Sequence, residues 1–132
     1  RHLEANMPAK ILIVEDHEDS RDILKLQLQA QGYEVIEAEN GQEGLEKALT
    51  EDPYLIVMDL GLPGIDGIEA AIRLKKNPKT ADIPVIAHTA WSPEDYKEKA
   101  ERAGMVAYLT KPTPPHLFKE VIQRVLQSKS SN

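Results

Sequence analysis

Five short apolar stretches, each of strand length, alternate along the chain with five stretches of helical periodicity. The apolar stretches are residues 10–14, 33–38, 54–58, 84–89 and 105–109. The helical stretches, with apolar residues every three or four positions, are residues 20–31, 41–51, 66–76, 92–103 and 115–126. Alternation at this spacing is typical of βαβ units, which build a parallel sheet with helices on both faces. The pattern predicts an α/β fold with a doubly wound five-stranded parallel sheet.

The length and the composition narrow the class of protein further. The chain has 132 residues, the size of one domain, and it lacks cysteine, which excludes disulfide scaffolds, thiol nucleophiles and thiolate metal sites. Its net charge of −6 argues against nucleic-acid binding, and its apolar runs fall short of the ~20 residues of a membrane span. No signal peptide is visible either. We therefore expect a cytoplasmic domain that binds neither nucleic acids nor membranes.

The two ends of the chain differ in character from the rest. Residues 1–6, RHLEAN, precede a methionine and resemble an expression-tag remnant. Residues 128–132 are polar and rich in serine, which indicates a tail or the start of a linker. We therefore assign residues 7–127 to the folded domain.

Charged and polar side chains stand where the predicted strands end. Glu15 and Asp16 follow the first strand, and Asp59 follows the third. Thr89 ends the fourth strand, and Lys111 follows the fifth. Each alone has the character of a solvated turn residue, but the ligand sites of open α/β sheets lie beyond the carboxyl ends of the strands. We therefore expect three carboxylates, a hydroxyl and an ammonium group to meet at one edge of the sheet.

This set of groups has a coherent chemistry. Clustered carboxylates repel one another and favour a hard cation such as Mg²⁺, which takes oxygen ligands and bridges readily to phosphate. A carboxylate can also attack phosphorus and form an aspartyl phosphate. Phosphoryl transfer needs mostly positioning and charge neutralisation, for which Lys111 and Thr89 supply donors. The site matches a Mg²⁺-dependent phospho-acceptor.

Four segments of the sequence, in order along the chain, carry a resemblance to a known family: ILIVEDHEDSR, LIVMDLGLPGIDG, IPVIAHTA and AYLTKP. Together they resemble the receiver domain of the two-component response regulators over about residues 7–126. The resemblance implies a flavodoxin-like (βα)5 receiver fold with strand order 2-1-3-4-5. It also implies a phospho-accepting signalling domain rather than an enzyme, with Mg²⁺-dependent self-phosphorylation from small phosphodonors and autodephosphorylation.

The same resemblance assigns the residues that handle the phosphoryl group. Asp59 is expected to be the phospho-acceptor, and Lys111 the cation that binds the phosphate. Thr89 is the expected switch hydroxyl, and Tyr108, three residues before the lysine, is the expected switch aromatic. The Lys111–Pro112 peptide is expected to be cis.

The metal pocket and the partners are also implied by the resemblance. Asp16, Asp59 and the backbone carbonyl of Gly61 are expected to bind Mg²⁺ (or Mn²⁺), with Glu15 in support. A histidine kinase or a histidine phosphotransfer protein would donate the phosphoryl group. The surface formed by the fourth helix, the fifth strand and the fifth helix would then change and contact a downstream effector.

Three alternative functions remain open at this stage. A pseudo-receiver would bind a partner without phosphorylation, although every motif position is intact here. A flavodoxin-like cofactor binder needs a hydroxyl- or glycine-rich loop after the first strand, where Glu15 and Asp16 would repel a phosphate. A phosphatase or mutase with an Asp-x-Asp nucleophile pair is disfavoured, because Asp59-Leu60-Gly61 lacks the second acid.

Four further residues need separate interpretation. Thr113 follows the Lys-Pro pair, where the family often has phenylalanine, and this difference changes the surface that leads into the last helix. Trp91 follows Thr89 by two residues, and its indole either lies near the phosphorylation site, restricting water, or is a half-exposed surface aromatic. His17 is interpreted as an exposed turn residue, because Mg²⁺ prefers oxygen ligands, and His88 as a packed neutral imidazole in a strand.

Overall fold

The computed structural model describes residues 8–130, which form five strands and five helices in strict alternation. The elements are β1 (Lys10–Val14), α1 (Glu18–Ala30), β2 (Glu34–Ala38), α2 (Gly41–Glu51), β3 (Leu55–Met58), α3 (Gly67–Lys76), β4 (Val85–Thr89), α4 (Pro93–Arg102), β5 (Ala107–Thr110) and α5 (Pro115–Ser130). None of the helices within the described residues is long and apolar enough to cross a membrane.

All five strands pair in parallel, in the order β2-β1-β3-β4-β5. The order places β1 and β3 side by side at the centre, with β4 and β5 following on one side. The fold class and the strand order expected from the sequence are therefore confirmed. The carboxyl ends of β1, β3, β4 and β5 meet at one edge of the sheet, and the candidate site lies there.

The sheet is buried on both faces, which explains why β3, and β1 after Lys10, contain only apolar residues. Successive residues of a strand point to opposite faces, so Leu12 and Val14 pack in one cluster while Ile11 and Ile13 pack in the other. The first cluster is covered by α2, α3 and α4, and the second by α1 and α5. Two apolar layers thus fix the sheet between them, and the polar groups collect at its edges.

Element boundaries differ from the sequence prediction by two or more residues at three places. The first helix begins at Glu18 rather than residue 20, with two acidic residues in its first turn, where the helix dipole favours negative charge. The fifth strand begins at Ala107 rather than residue 105, because Met105 closes the end of α4 by donating its N–H to Ala100 O at 3.0 Å. The last helix continues past residue 126 to Ser130, since no glycine or proline ends it.

The predicted ends of the chain fall partly outside the structure. The proposed tag, residues 1–6, lies outside the described residues, as do residues 131 and 132 of the proposed tail. Residues 128–130 continue α5, and their assignment to a polar tail or the start of a linker stays a prediction. The assignment of residues 7–127 to one domain stays a prediction.

Gly67 is the residue that sets how closely α3 approaches the end of β3. Asp66 caps this helix, its side chain accepting the Glu69 N–H at 2.9 Å. A Cβ on Gly67 would lie 2.3 Å from the Asp59 carbonyl oxygen and 2.8 Å from the Leu60 Cα. Both are backbone atoms, so no side-chain movement relieves the contact, and only glycine permits this packing.

We predict that Gly67→Ala destabilises the fold and displaces the backbone of Asp59. An overpacked site typically costs about 1–3 kcal/mol, and here the strain falls on the β3–α3 loop. Urea unfolding measures the stability, and the amide shifts of Asp59 and Gly61 report the displacement. The matched control is Gly64→Ala, where φ is +76° but an added Cβ meets no atom within 4 Å. Gly64→Ala should lower the free energy of unfolding by about 1 kcal/mol without shifting these amide resonances. Equal losses of stability and equal amide shifts in the two variants would contradict the steric role of Gly67.

Candidate functional site

The centre of the site is an ion cluster that joins the ends of three strands. Lys111, after β5, donates to Asp59 Oδ2 at 3.0 Å and also to Glu15 Oε1. Asp59 follows β3 and Glu15 follows β1, so a single ammonium group bridges carboxylates from neighbouring strands. The Lys111–Pro112 peptide is cis, as expected from the sequence. The structure therefore brings together three of the residues singled out from the sequence.

Charge and burial act against each other at Asp59 and Lys111. Burial alone would raise the pKa of Asp59, but hydrogen bonds from Lys111 and Thr89 outweigh it and hold that pKa below its ordinary value. Burial alone would lower the pKa of Lys111, but its hydrogen bonds to Glu15 and Asp59 raise it overall. Asp59 therefore stays an ionised carboxylate at neutral pH, and Lys111 stays an ammonium group.

The two acids after β1 occupy different positions. The side chain of Glu15 is 5% exposed, and both its oxygens are engaged, one by Lys111 and the other by the His17 N–H at 3.1 Å. The side chain of Asp16 is 31% exposed, so its carboxylate is accessible to an incoming cation. His17 is 72% exposed, in agreement with its interpretation as a turn residue. Ligand atoms of these three residues lie within 4.8 Å of one another.

Arg21 is a residue of the site that the sequence analysis missed. Its guanidinium is buried and donates to the Glu15 backbone carbonyl at 2.8 Å, while its Nε lies 3.4 Å from a Glu37 carboxylate oxygen. It thereby fixes the peptide that joins the two acids. The signal was present, because Arg21 falls on the same helical face as the buried Leu24 and Leu28. An arginine on an apolar face needs polar partners inside the fold.

Gly61 and Thr89 flank the Asp59 carboxylate. The Gly61 N–H donates to Asp59 Oδ1 at 3.1 Å. Thr89 is fully buried at the end of β4, and its Oγ1 accepts the backbone N–H of Trp91 at 3.2 Å. The carboxylate thus has a backbone donor on one side and a hydroxyl on the other.

Trp91 connects the two expected switch residues. Its N–H donates to Thr89, and its carbonyl accepts the Tyr108 hydroxyl at 2.8 Å. The indole packs against the Tyr96 ring at a centroid distance of 4.5 Å. Its edge also lies over Gly61, so it is a residue of the site rather than an isolated surface aromatic.

The residues present suit a hard cation, because the carboxylates at this edge supply oxygen ligands. Asp16 and Asp59 offer carboxylates beside one another, and the chain has no cysteine that would favour a softer metal. The Lys111 ammonium group balances one of the negative charges but not all of them. The local excess of negative charge therefore favours binding of a divalent cation.

His88 lies behind the site, within β4. Its ring meets Phe118 edge-on, with centroids 4.9 Å apart and planes at 76°. Burial, followed by the charge of Lys111, lowers the pKa of His88 to about 4, although the charge of Asp59 opposes the shift. The expectation of a packed neutral imidazole agrees with this environment.

Both the sequence and the fold of this chain are similar to those of known proteins. The family model described as the response regulator receiver domain matches residues 11–123. The polar-differentiation response regulator DivK of Brucella anthropi is 38% identical over 120 residues, covering 91% of this chain and 98% of DivK. A CheY-like receiver domain from Methanospirillum hungatei superposes with a TM-score of 0.88 at 30% identity, covering 94% of this chain and 98% of that one.

A third similar protein was solved with a metal. It is the receiver domain of the sensor histidine kinase PA1611 from Pseudomonas aeruginosa, described with a magnesium ion coordinated in its active-site cleft. The TM-score is 0.85 at 28% identity, over 91% of this chain and 98% of that one.

We predict that His88 titrates with a midpoint near pH 4 rather than near 6.5. The unfolded chain binds the proton near pH 6.5, so it takes up more protons than the folded protein between about pH 6.5 and 4. The contribution of neutral His88 to stability is therefore complete above that range and is lost as the pH falls through it. NMR of the imidazole C–H protons measures the midpoint; a value near 6.5 would contradict the packing described above.

Proposed function

The chain belongs to the response regulator receiver family, and we propose that it accepts a phosphoryl group on Asp59 from a phosphohistidine. The observation that carries the proposal is the state of Asp59, an ionised carboxylate held by Lys111 and Thr89. Receiver domains are signalling domains rather than conventional enzymes. Self-phosphorylation from small phosphodonors and autodephosphorylation are part of the proposal.

The transfer uses groups that are already in place. One oxygen of the Asp59 carboxylate attacks phosphorus, and the P–N bond of the phosphohistidine breaks. The leaving nitrogen keeps the electron pair of that bond, the imidazole takes up one proton, and the product is an acyl phosphate. Lys111, which lies 3.0 Å from Asp59 Oδ2, stays protonated and neutralises a phosphoryl oxygen. The Thr89 hydroxyl supplies a second donor.

We assign the metal pocket to Asp16, Asp59 and the Gly61 carbonyl, with Glu15 in support. Asp16 is the exposed acid, while both oxygens of Glu15 are engaged by the protein, which favours an indirect role for Glu15. Mg²⁺ (or Mn²⁺), when bound there, would neutralise charge on the phosphoryl oxygens during transfer. The magnesium in the cleft of the PA1611 receiver domain supports this assignment.

The response to phosphorylation runs through Thr89, Trp91 and Tyr108. Thr89 and Tyr108 both hydrogen-bond to the backbone of Trp91, so a movement of the Thr89 hydroxyl toward a phosphoryl group releases one of these bonds. The resulting change is a shift between two populations of the same fold. It would reach the surface of α4, β5 and α5, where Val106 is 55% and Leu117 39% exposed.

The partners follow from this chemistry. A histidine kinase or a histidine phosphotransfer protein would supply the phosphoryl group, and a downstream effector would contact the α4-β5-α5 surface. A cytoplasmic location fits such partners. The alternative is a pseudo-receiver, which would use the same surface without any phosphoryl transfer.

We predict that Asp59→Asn abolishes phosphorylation, because the amide is not a nucleophile for this reaction. Incubation with acetyl phosphate and Mg²⁺, followed by intact-mass measurement, should give one phosphoryl adduct in the wild type and none in the variant. Asp82→Asn, at the opposite edge of the sheet, is the matched control and should keep the adduct. A wild-type protein that acquires no adduct from acetyl phosphate or from a histidine kinase would favour the pseudo-receiver.

We predict that Asp16→Asn weakens divalent-cation binding on the order of tenfold or more, because it removes an accessible charged ligand. Electron paramagnetic resonance of free Mn²⁺ measures the affinity without any phosphodonor. His17→Gln is the matched control: it removes the neighbouring imidazole but keeps every carboxylate, and its affinity should equal that of the wild type. Loss of binding in His17→Gln with retention in Asp16→Asn would reverse the assignment.

A further inference from the structure

The indole of Trp91 fills space that a side chain at position 61 would otherwise occupy. The ring atoms nearest to the ideal Cβ position of Gly61 are Nε1, Cε2 and Cζ2, at 3.0, 3.2 and 3.3 Å. These atoms form the nitrogen-bearing edge of the indole. The edge of the ring that carries the N–H group therefore faces the backbone of Gly61.

Gly61 also contacts the Asp59 carboxylate. Its N–H donates to Asp59 Oδ1 at 3.1 Å. The indole edge and the carboxylate thus lie against the same glycine residue.

The ring is held in this position before any ligand arrives. Its backbone is fixed on both sides, by Thr89 Oγ1 at 3.2 Å and by the Tyr108 hydroxyl at 2.8 Å. One face of the indole packs on Tyr96, and the Lys99 ammonium group lies 5.3 Å from the Tyr96 ring centroid. An ordered donor loses little conformational entropy when it forms a hydrogen bond.

The indole N–H has no acceptor among residues 8–130, where the hydrogen bonds of Trp91 are those of its backbone. A phosphoryl group brings three strong acceptor oxygens to the site. We propose that the Trp91 indole N–H donates a hydrogen bond to an oxygen of the phosphoryl group on Asp59, beside the donors of Lys111 and Thr89. The inference rests on the proposed function, since it requires phosphorylation of Asp59.

The competing explanation is that the indole acts only as an apolar cover that excludes water. The two roles differ in what the nitrogen does. A cover depends on the area of the ring, which phenylalanine largely keeps. A donor depends on the N–H, which phenylalanine lacks.

The test uses the single tryptophan of the chain, which gives one indole N–H resonance in a ¹⁵N-labelled sample. Beryllofluoride with Mg²⁺ serves as the phosphoryl mimic. We expect the indole proton to shift downfield and its exchange with water to slow when the mimic binds. We also expect Trp91→Phe to weaken beryllofluoride binding, measured by ¹⁹F NMR, by on the order of tenfold, the size of one hydrogen bond to a charged group.

Tyr33→Phe is the matched control, since it removes a polar hydrogen from an aromatic side chain that packs in the other core cluster. It should keep the wild-type affinity. The proposal is overturned if the indole N–H exchanges with water as fast with the mimic as without it. It is also overturned if the Trp91→Phe protein binds beryllofluoride with wild-type affinity. If Trp91→Phe does not fold, the indole N–H resonance of the wild-type protein is sufficient to test the hydrogen bond. A wild-type protein that binds no beryllofluoride in Mg²⁺ overturns the proposed function as well, whereas binding without an indole response overturns the hydrogen bond only.

Discussion

The structure depends on holding like charges together at the edge of a buried sheet. Parallel pairing of β1 with β3 places Glu15, Asp16 and Asp59 side by side, where their carboxylates repel one another. The Lys111 ammonium group, contributed by a strand two places away from β3, offsets part of that repulsion through hydrogen bonds to Glu15 and Asp59. The apolar layers on both faces of the sheet must supply the rest. The same uncompensated negative charge that costs stability favours binding of a divalent cation at this edge.

The sequence was sufficient to predict the sheet and its edge, for a physical reason. A strand covered on both faces must be apolar where it is buried, and a charged residue directly after it marks its end. β3, and β1 after Lys10, satisfy both conditions. The start of the fifth strand was predicted two residues too early. Met105 is apolar and buried, but it closes the end of α4 and does not belong to the sheet. The end of α5 was missed because polar residues such as Gln127 continue a helix as readily as they form a tail.

Two features of the site were not recognised from the sequence. The position of Arg21 on the apolar face of α1 indicates burial, but its hydrogen bond to the Glu15 carbonyl is evident only in three dimensions. The sequence placed Trp91 near the site, but the orientation of its ring depends on the absence of a side chain at Gly61, thirty positions earlier. No local sequence pattern reveals such a pair, in which a glycine leaves space and a residue distant in the sequence fills it.

The bond between Glu15 and Lys111 joins residues 96 positions apart, the first and last strands along the chain. A chain that is still being synthesised, or one cut before residue 111, carries its carboxylates with no counter-charge from Lys111. Contacts of such long range form late, because the entropy of closing the loop must be overcome first. The complete charge cluster therefore forms only when the whole chain has folded, since its first and last strands must both be in place.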